Sequence, residues 1–302
     1  MTTWKLNIIT ASDPGADPRQ LCIHDEKIVG IGWPVYTTRD TLTSKQYLKQ
    51  ARTEYTKGKS NMPSAINAIV DRMNIDDLVW TRDWQNNYFL GRVTSQWRYE
   101  KGGKWKINNI HNARDCEWHR VGEEDKVPWA IVRQFSRGTL TQLGEATERM
   151  TSFSQATYNK ITESTHYKLK NLSRTDLLDY IGAEGCEDIV ALYLQVKHNY
   201  YLLPSSCKAT TKHIEFILIH TSGKKAVVQV KSGDVELDAS KYIQKEGDEA
   251  FLLTTSGKYK NEGARNVTCL SKDVLLDFML EHHKIQSGEM KTWLSFLSDS
   301  NK

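Results

Sequence analysis

The chain has 302 residues, 39% hydrophobic and 26% charged, and its 41 basic and 37 acidic side chains leave a formal net charge of +4. That length supports two compact domains with separate cores, and no apolar run approaches the ~18 residues of a membrane span. Mild positive charge permits nucleic-acid binding without requiring it.

The N-terminus lacks the basic-then-apolar pattern of a signal peptide. Five scattered cysteines (Cys22, Cys116, Cys186, Cys207, Cys269) show no C-x-x-C spacing, so neither a zinc site nor a disulfide framework is indicated. Nine histidines likewise lack a metal-ligand spacing. A reduced cytoplasm is the simplest setting, and no membrane partner is expected.

In chain order, residues 4–9 read as a strand, followed by a loop punctuated by Asp13-Pro-Gly and Asp17-Pro. Residues 27–34 read as an apolar strand with two glycines that ends in Trp33-Pro34. Two helices are expected at 44–55 and 63–73, the second opened by Pro63 in its first turn. Strands return at 77–83, 88–94, 96–99 and 116–121. Short strands around turns with two intervening helices predict a small mixed β-barrel.

Tryptophans concentrate here: every one falls between Trp4 and Trp129 except Trp293. Plain core packing is the alternative for each of them, and Trp4, Trp105 and Trp129 are assigned to core or rim. Trp33 stands out because Gly32 allows close backbone approach and Pro34 ends the strand. Trp80, Trp97 and Tyr99 lie at strand ends where a barrel opens. Basic residues are interleaved (Arg82, Arg92, Arg98, Lys101, Lys104, Lys106, Arg114, Arg120, Arg133, Arg137), and 98–106 reads as a glycine-rich hairpin tip. Lysines there could approach phosphates closely, or simply decorate a solvated loop.

The succession Ile31-Gly-Trp33, Asp77-Leu-Val-Trp80, Tyr88-Phe-Leu-Gly-Arg-Val93, Trp97-Arg-Tyr99 and Glu117-Trp-His-Arg-Val121 resembles the EVE branch of PUA-like domains. The resemblance covers residues 4–133. It implies a reader in which aromatic side chains, here Trp33, Trp80, Trp97 and Tyr99, form a pocket for a modified base swung out of nucleic acid.

Residues 144–170 are polar and rich in Ser, Thr and Glu, compatible with one connecting helix. The expected division is therefore a recognition domain at 1–145, a helical linker at 146–171 and a second domain at 172–302.

The second domain opens with Ser173-Arg-Thr-Asp176 as a helix start before Leu177, Leu178 and Ile181. A further amphipathic helix is expected after Gly185, carrying Glu187. Strands follow at 200–203, 213–220 (containing Glu215) and 226–231, then a short polar helix at 238–245, a strand at 250–254, a strand at 266–270 and a helix at 271–281. The third of these strands, Ala226-Val-Val-Gln-Val-Lys-Ser-Gly233, carries Gln229 and Lys231 two residues apart, hence on one face. A carboxylate and a lysine in otherwise apolar strands are costly unless they meet a partner, a metal or a substrate. An acid, a lysine and an adjacent carbonyl can hold a divalent cation beside a water, which suits phosphodiester hydrolysis. The alternative is a Glu–Lys ion pair tying two strands together.

This α-β-β-β-α-β order, with Glu187 on the helix, Glu215 on one strand and Gln-x-Lys on the next, resembles the PD-(D/E)xK nuclease superfamily over residues 172–297. Among its branches it is most similar to Mrr-like restriction nucleases, in which Gln replaces the second acid. The resemblance implies a restriction-endonuclease-like sheet. It also implies catalytic roles for Glu187, Glu215, Gln229 and Lys231, with Mg²⁺ or Mn²⁺ held by Glu215 and Gln229. The chain departs from that branch in carrying Glu rather than Asp at 215, outside a glycine-rich context.

Joined, the two resemblances imply a two-domain α/β and α+β protein acting as a modification-dependent restriction endonuclease of the type used in phage defence. Its partner would be DNA carrying modified bases; a double-strand break implies two copies or two sequential nicks, and a homodimer is expected, at least on DNA. An RNA-directed nuclease and a non-cleaving sensor with a degenerate nuclease fold are the alternatives.

Overall fold

The computed structural model describes residues 1–8, 13–56, 62–136, 138–143, 147–169, 172–207, 214–245 and 247–300. Ile9, Arg137, Gly144, Glu145, Ala146, Lys170, Asn171, His213 and Lys302 of the expected elements and boundaries lie outside the described residues. Contacts divide the chain into two units, Met1–Lys170 and Asn171–Lys302, each of mixed α and β structure.

Seven strands of the first unit form one curled, half-barrel sheet. They are β1 (Thr3–Leu6), β2 (Ile28–Ile31), β3 (Leu78–Arg82), β4 (Tyr88–Val93), β5 (Arg98–Tyr99), β6 (Asn112–Gly122) and β7 (Leu140–Gln142). Their order is β2-β6-β4-β3-β1-β7, with β5 also on β6. Strand β6 joins the two parts of the sheet: its first residues pair with β2 and its later ones with β4. Alternation sends Trp4, Leu6, Val79 and Phe89 to the core face. Gly91 lies on that face because Trp118 crosses it; a Cβ at 91 would stand 2.4 Å from the Trp118 ring and from the Cys116 sulfur.

The helix Ser44–Tyr55 forms as its sequence dictates, opened by a capping box in which Thr43 and Gln46 bond each other's backbone. The 98–106 hairpin tip does not form. β5 is only two residues long, and the glycine pair instead leads into a short helix, Gly103–Ile107.

The expected linker differs most. Residues Thr147–Ile161 form a helix whose Met150, Phe153, Ser154, Thr157 and Tyr158 are buried. These positions follow the i, i+3, i+4, i+7, i+8 rule of one apolar stripe. That stripe covers the second face of the first unit's sheet: the Trp80 indole donates to the Ser154 hydroxyl at 2.8 Å. The Tyr158 hydroxyl accepts from Arg92 at 3.1 Å and donates to Glu117 at 3.0 Å. The segment belongs to the first unit's core rather than to a spacer.

In the second unit a five-stranded sheet runs β14-β12-β10-β9-β8. Its strands are β8 (Tyr200–Leu202), β9 (Phe216–His220), β10 (Lys225–Lys231), β12 (Glu249–Thr254) and β14 (Val267–Cys269). β8, β9 and β10 are antiparallel neighbours, whereas β10, β12 and β14 are parallel. A small pair, β11 (Leu237–Asp238) and β13 (Tyr259–Lys260), stands apart from it. Helices Leu177–His198, Lys272–Glu281 and Gly288–Ser300 complete the unit.

Ser173 opens the first helix as expected, its hydroxyl accepting the Asp176 N–H. The break in that helix falls at Gly182, where φ is +77°, and not after Gly185. Gly185 is helical, and its hydrogen is a packing requirement: a Cβ there would lie 2.0 Å from Ile181 and 2.5 Å from Met290. The polar helix expected at 238–245 is a single tight turn, Ala239–Tyr242, capped by Asp238.

Candidate functional site

The second unit's candidate site is built on the β9–β10 hairpin. Phe216 pairs with Val228, and the Glu215 N–H donates to the Val228 carbonyl at 2.8 Å. One step outward therefore sets Glu215 beside Gln229 on the same face. The Gln229 amide donates to the Glu215 carboxylate, and the Lys231 ammonium reaches the same carboxylate oxygen at 3.1 Å. Gln229 is 1% exposed, whereas the side chains of Glu215 and Lys231 remain 26% and 40% exposed. The cluster thus grades from a buried amide to a lysine in contact with solvent. Beyond Lys231 the strand is pinned, because its carbonyl accepts the Thr255 N–H at 3.0 Å.

Glu187 faces this cluster from the helix Leu177–His198. Its carboxyl is pushed up from an ordinary 4.5 to about 7, first by burial, then by the negative charges of Glu215, Glu184 and Asp188, against a smaller opposing pull from Lys231. A carboxyl in that range holds a proton for part of the time at neutral pH. Sequence reasoning did not pick out Tyr242, whose phenol is raised by burial and by Glu215.

Among the described residues no three His, Cys, Asp or Glu side chains are grouped as a metal cage. An oxygen donor set is nonetheless present. Glu215 supplies a carboxylate, Gln229 an Oε1 that is buried without a hydrogen-bond partner, and Val230 a carbonyl that the Gln229 amide nitrogen reaches at 3.1 Å. One or two carboxylates plus neutral oxygens suit a hard cation such as Mg²⁺, which keeps several waters.

In the first unit the four expected aromatics do not share a concavity. Trp80 is fully buried and hydrogen-bonded to Ser154, stacked 6.4 Å from Phe153. Its register against Lys5 points it at the helix Thr147–Ile161, so it is core. Trp97 and Tyr99 pack on Tyr47, at 5.2 and 5.5 Å between ring centres. Trp33 alone of the four lines an opening of about 340 Å³, with Ile31, Pro34, Tyr55, Asn108 and Asn109 among its other walls.

Trp33 has φ +63°, the left-handed region that a bulky side chain rarely occupies. The surrounding hydrogen bonds explain how it is kept there. Tyr47 donates to the Trp33 carbonyl at 2.8 Å and Tyr55 to the Pro34 carbonyl. The Tyr99 hydroxyl takes the Val35 N–H at 2.9 Å, and Asn112 donates to the Gly32 carbonyl at 2.6 Å. Trp97 in turn holds the Asn112 side chain at 3.1 Å. Trp97 and Tyr99 therefore hold the Trp33 segment in place. Tyr55, Asn108 and Asn109 were missed as walls because they are remote from Trp33 in sequence.

Four of the ten basic residues interleaved with these aromatics are ion-paired. Arg92 pairs with Asp76 and Glu117, Arg98 with Glu100 and Asp115, Lys101 with Asp40 and Lys104 with Glu26. Arg114 is buried and donates to the carbonyls of Ile69 and Val70.

Residues 4–144 match a family described as a domain of unknown function (DUF8426). No curated protein and no solved structure matches the chain. Among the described residues no helix is long and apolar enough to cross a membrane.

Proposed function

We propose that the second unit is a metal-dependent phosphodiesterase of the PD-(D/E)xK, Mrr-like kind. In this reading the first unit is an EVE/PUA-like reader that selects DNA carrying a modified base. The observation that carries the catalytic half is the meeting of Gln229 and Lys231 on the Glu215 carboxylate, with Glu187 facing them. A bare Glu–Lys strand tie would not require a buried amide with an unpartnered oxygen beside it. What supports the reader is the solvent-open pocket walled by a tryptophan held in a costly conformation.

Glu215, the Gln229 amide oxygen and the Val230 carbonyl would hold Mg²⁺ or Mn²⁺. When bound, such an ion polarises a phosphoryl oxygen and lowers the pKa of a bound water. Lys231 then has two tasks. It donates to the attacking water or to the phosphate oxygens, and it offsets negative charge as that charge grows at phosphorus. Glu187, partly protonated at neutral pH, can accept or return a proton at the rim. One such site cuts one strand, so a double-strand break takes two copies or two sequential nicks, and a homodimer on DNA belongs to the same proposal.

The test is cleavage of matched modified and unmodified duplexes, and of structured RNA, with Mg²⁺ or Mn²⁺. Modified DNA is the expected substrate. Lys231→Ala is expected to reduce cleavage by at least roughly 100-fold, the scale of losing one transition-state donor, with DNA affinity nearly unchanged because phosphate contacts elsewhere set it. Cleavage surviving in Lys231→Ala sinks the assignment. Binding without cleavage by the wild-type protein would favour a sensor, and preference for RNA would redirect the substrate.

A further inference from the structure

Among the described residues the most exposed large hydrophobic side chain is that of Tyr36, at 84%. Its ring and hydroxyl have no partner among those residues. Pro34, two positions earlier, is a wall of the Trp33 pocket and is also exposed, whereas Val35 between them is buried. Pro34 and Tyr36 therefore share the outer side of the segment. Two residues of chain span at most about 7 Å, which is two steps of a base stack at roughly 3.4 Å each.

A lone exposed aromatic is ordinary on a protein surface. What sets Tyr36 apart is an anchored backbone beneath a free ring. Its N–H donates to the Glu54 carboxylate at 2.9 Å. On the pocket side, the Val35 N–H donates to the Tyr99 hydroxyl at 2.9 Å, and that hydroxyl meets the Val35 carbonyl at 3.2 Å. On the far side, the Arg39 N–H donates to the Thr37 hydroxyl at 3.1 Å. The Lys101 ammonium donates to the Arg39 carbonyl at 2.7 Å and pairs with Asp40 at 3.1 Å. A backbone held at this many points presents the ring in a fixed place before any ligand arrives, which lowers the ordering cost of binding.

Beyond Tyr36, the exposed Arg39 and Lys49 line an opening of about 370 Å³. Neither has an ion-pair partner among the described residues. Glu54 shares the opening, but its carboxylate is taken by the Tyr36 N–H. Tyr36 thus stands in the chain between the Trp33 pocket and two cations suited to backbone phosphates.

We infer, on the reading of this unit as a base reader, that Tyr36 is a wedge for duplex DNA. It enters the base stack at the place the modified base has left and stacks on the neighbouring bases. Swinging a base out removes stacking from both of its neighbours, and a ring inserted there restores part of it. Every base offers a flat face to an aromatic ring, so the wedge imposes no sequence preference. A single strand has no paired stack to repair. The wedge therefore favours duplex over single-stranded DNA carrying the same base.

The full-length protein is used in EDTA, so that cleavage plays no part. The probes are duplexes and single strands carrying one N6-methyladenine or one 5-methylcytosine beside a 2-aminopurine, whose emission is quenched when it is stacked. Affinities come from the anisotropy of end-labelled copies. Tyr36→Ala is expected to melt like the wild type, because the side chain is exposed, and to bind the single strand equally well. It should bind the preferred duplex about tenfold more weakly, within the range of one aromatic–base stack. The 2-aminopurine should be brighter in the saturated Tyr36→Ala complex than in the wild-type one, and Tyr36→Phe should restore both affinity and quenching. Wild-type duplex affinity and emission in Tyr36→Ala would overturn the proposal. So would an equal loss on duplex and single strand, or a Tyr36→Phe variant that behaves like Tyr36→Ala, since each denotes a contact other than a wedge. The reader survives any of these results as long as Trp33→Ala still lowers the preference for the methylated base. If the wild type favours neither methylated duplex and Trp33→Ala changes nothing, the reader itself fails and the wedge falls with it.

Discussion

In the second unit, three of the four candidate catalytic residues come from one hairpin, Glu215 through Lys231, and the fourth from the helix leading to it. In the first unit, the Trp33 pocket is gathered from residues around 30–34, 55 and 108–110. The hairpin site depends on strand alternation and a register that the chain sets locally. The pocket depends on tertiary hydrogen bonds from Tyr47, Tyr55, Tyr99 and Asn112 to a single turn. The first kind of site tolerates change elsewhere in the fold, whereas the second is only as accurate as the distant elements that hold it. This difference also separates two roles for aromatic residues that composition alone cannot distinguish.

The largest effect expected from that separation is at Trp80. Its truncation to alanine should cost about 3–5 kcal/mol of stability, the scale of emptying a large buried aromatic site, with the added loss of the Ser154 hydrogen bond. Because Trp80 lines no opening, the ratio of affinities for modified and unmodified DNA should not change in whatever fraction stays folded. Chemical denaturation combined with competition binding measures both. A selective loss of modified-DNA binding with little loss of stability would return Trp80 to the pocket.

Much of the second unit was legible. Gln229 and Lys231 share a face because they are two apart, Glu215 joins them through a short hairpin, and the order of helices and strands follows from periodicity and turns. Gly182 and Gly185 were not separable, since one answers a backbone need and the other a packing need that only Met290 reveals. In the first unit the strands and the Ser44–Tyr55 helix were legible from alternation and capping, but the partners of the aromatics were not. Trp80 meets Ser154 across 74 positions, a pairing that no local pattern encodes. The 150, 153, 154, 157, 158 stripe was obscured in the sequence because two of its members, Ser154 and Thr157, are polar and the residues around it are polar too.

A smaller effect, and one with the opposite signature, is expected at Trp33. Loss of a stacking aromatic costs about 1–3 kcal/mol of affinity, concentrated on modified DNA because the sequence-independent phosphate attraction is untouched. Stability should fall by less than in Trp80→Ala, since Trp33 is only half-buried. Equilibrium binding of both duplexes to Trp33→Ala, with a melting curve alongside, gives the comparison. If Trp33→Ala lowered stability as much as Trp80→Ala and left the affinity ratio intact, the two tryptophans would share one structural role.

The smallest expected effect sharpens the electrostatic side of the hairpin site. Glu187 has a folded-state value of about 7 against an ordinary 4.5, so between these limits the native state binds more protons than the unfolded chain. Stability therefore falls as pH rises from about 4.5 to about 7 and levels off above. Each unit is worth about 1.4 kcal/mol, and partial exposure of the carboxyl reduces the total to roughly 1–2 kcal/mol. Glu187→Gln keeps a neutral side chain at every pH, so it should match the wild type near pH 4.5 and exceed it by that amount at pH 8. Other titrating groups contribute equally to both proteins, and the difference between their denaturation curves isolates Glu187. Parallel curves across the whole range would mean that its carboxyl does not face the charge of Glu215, and the hairpin site would lose its fourth member.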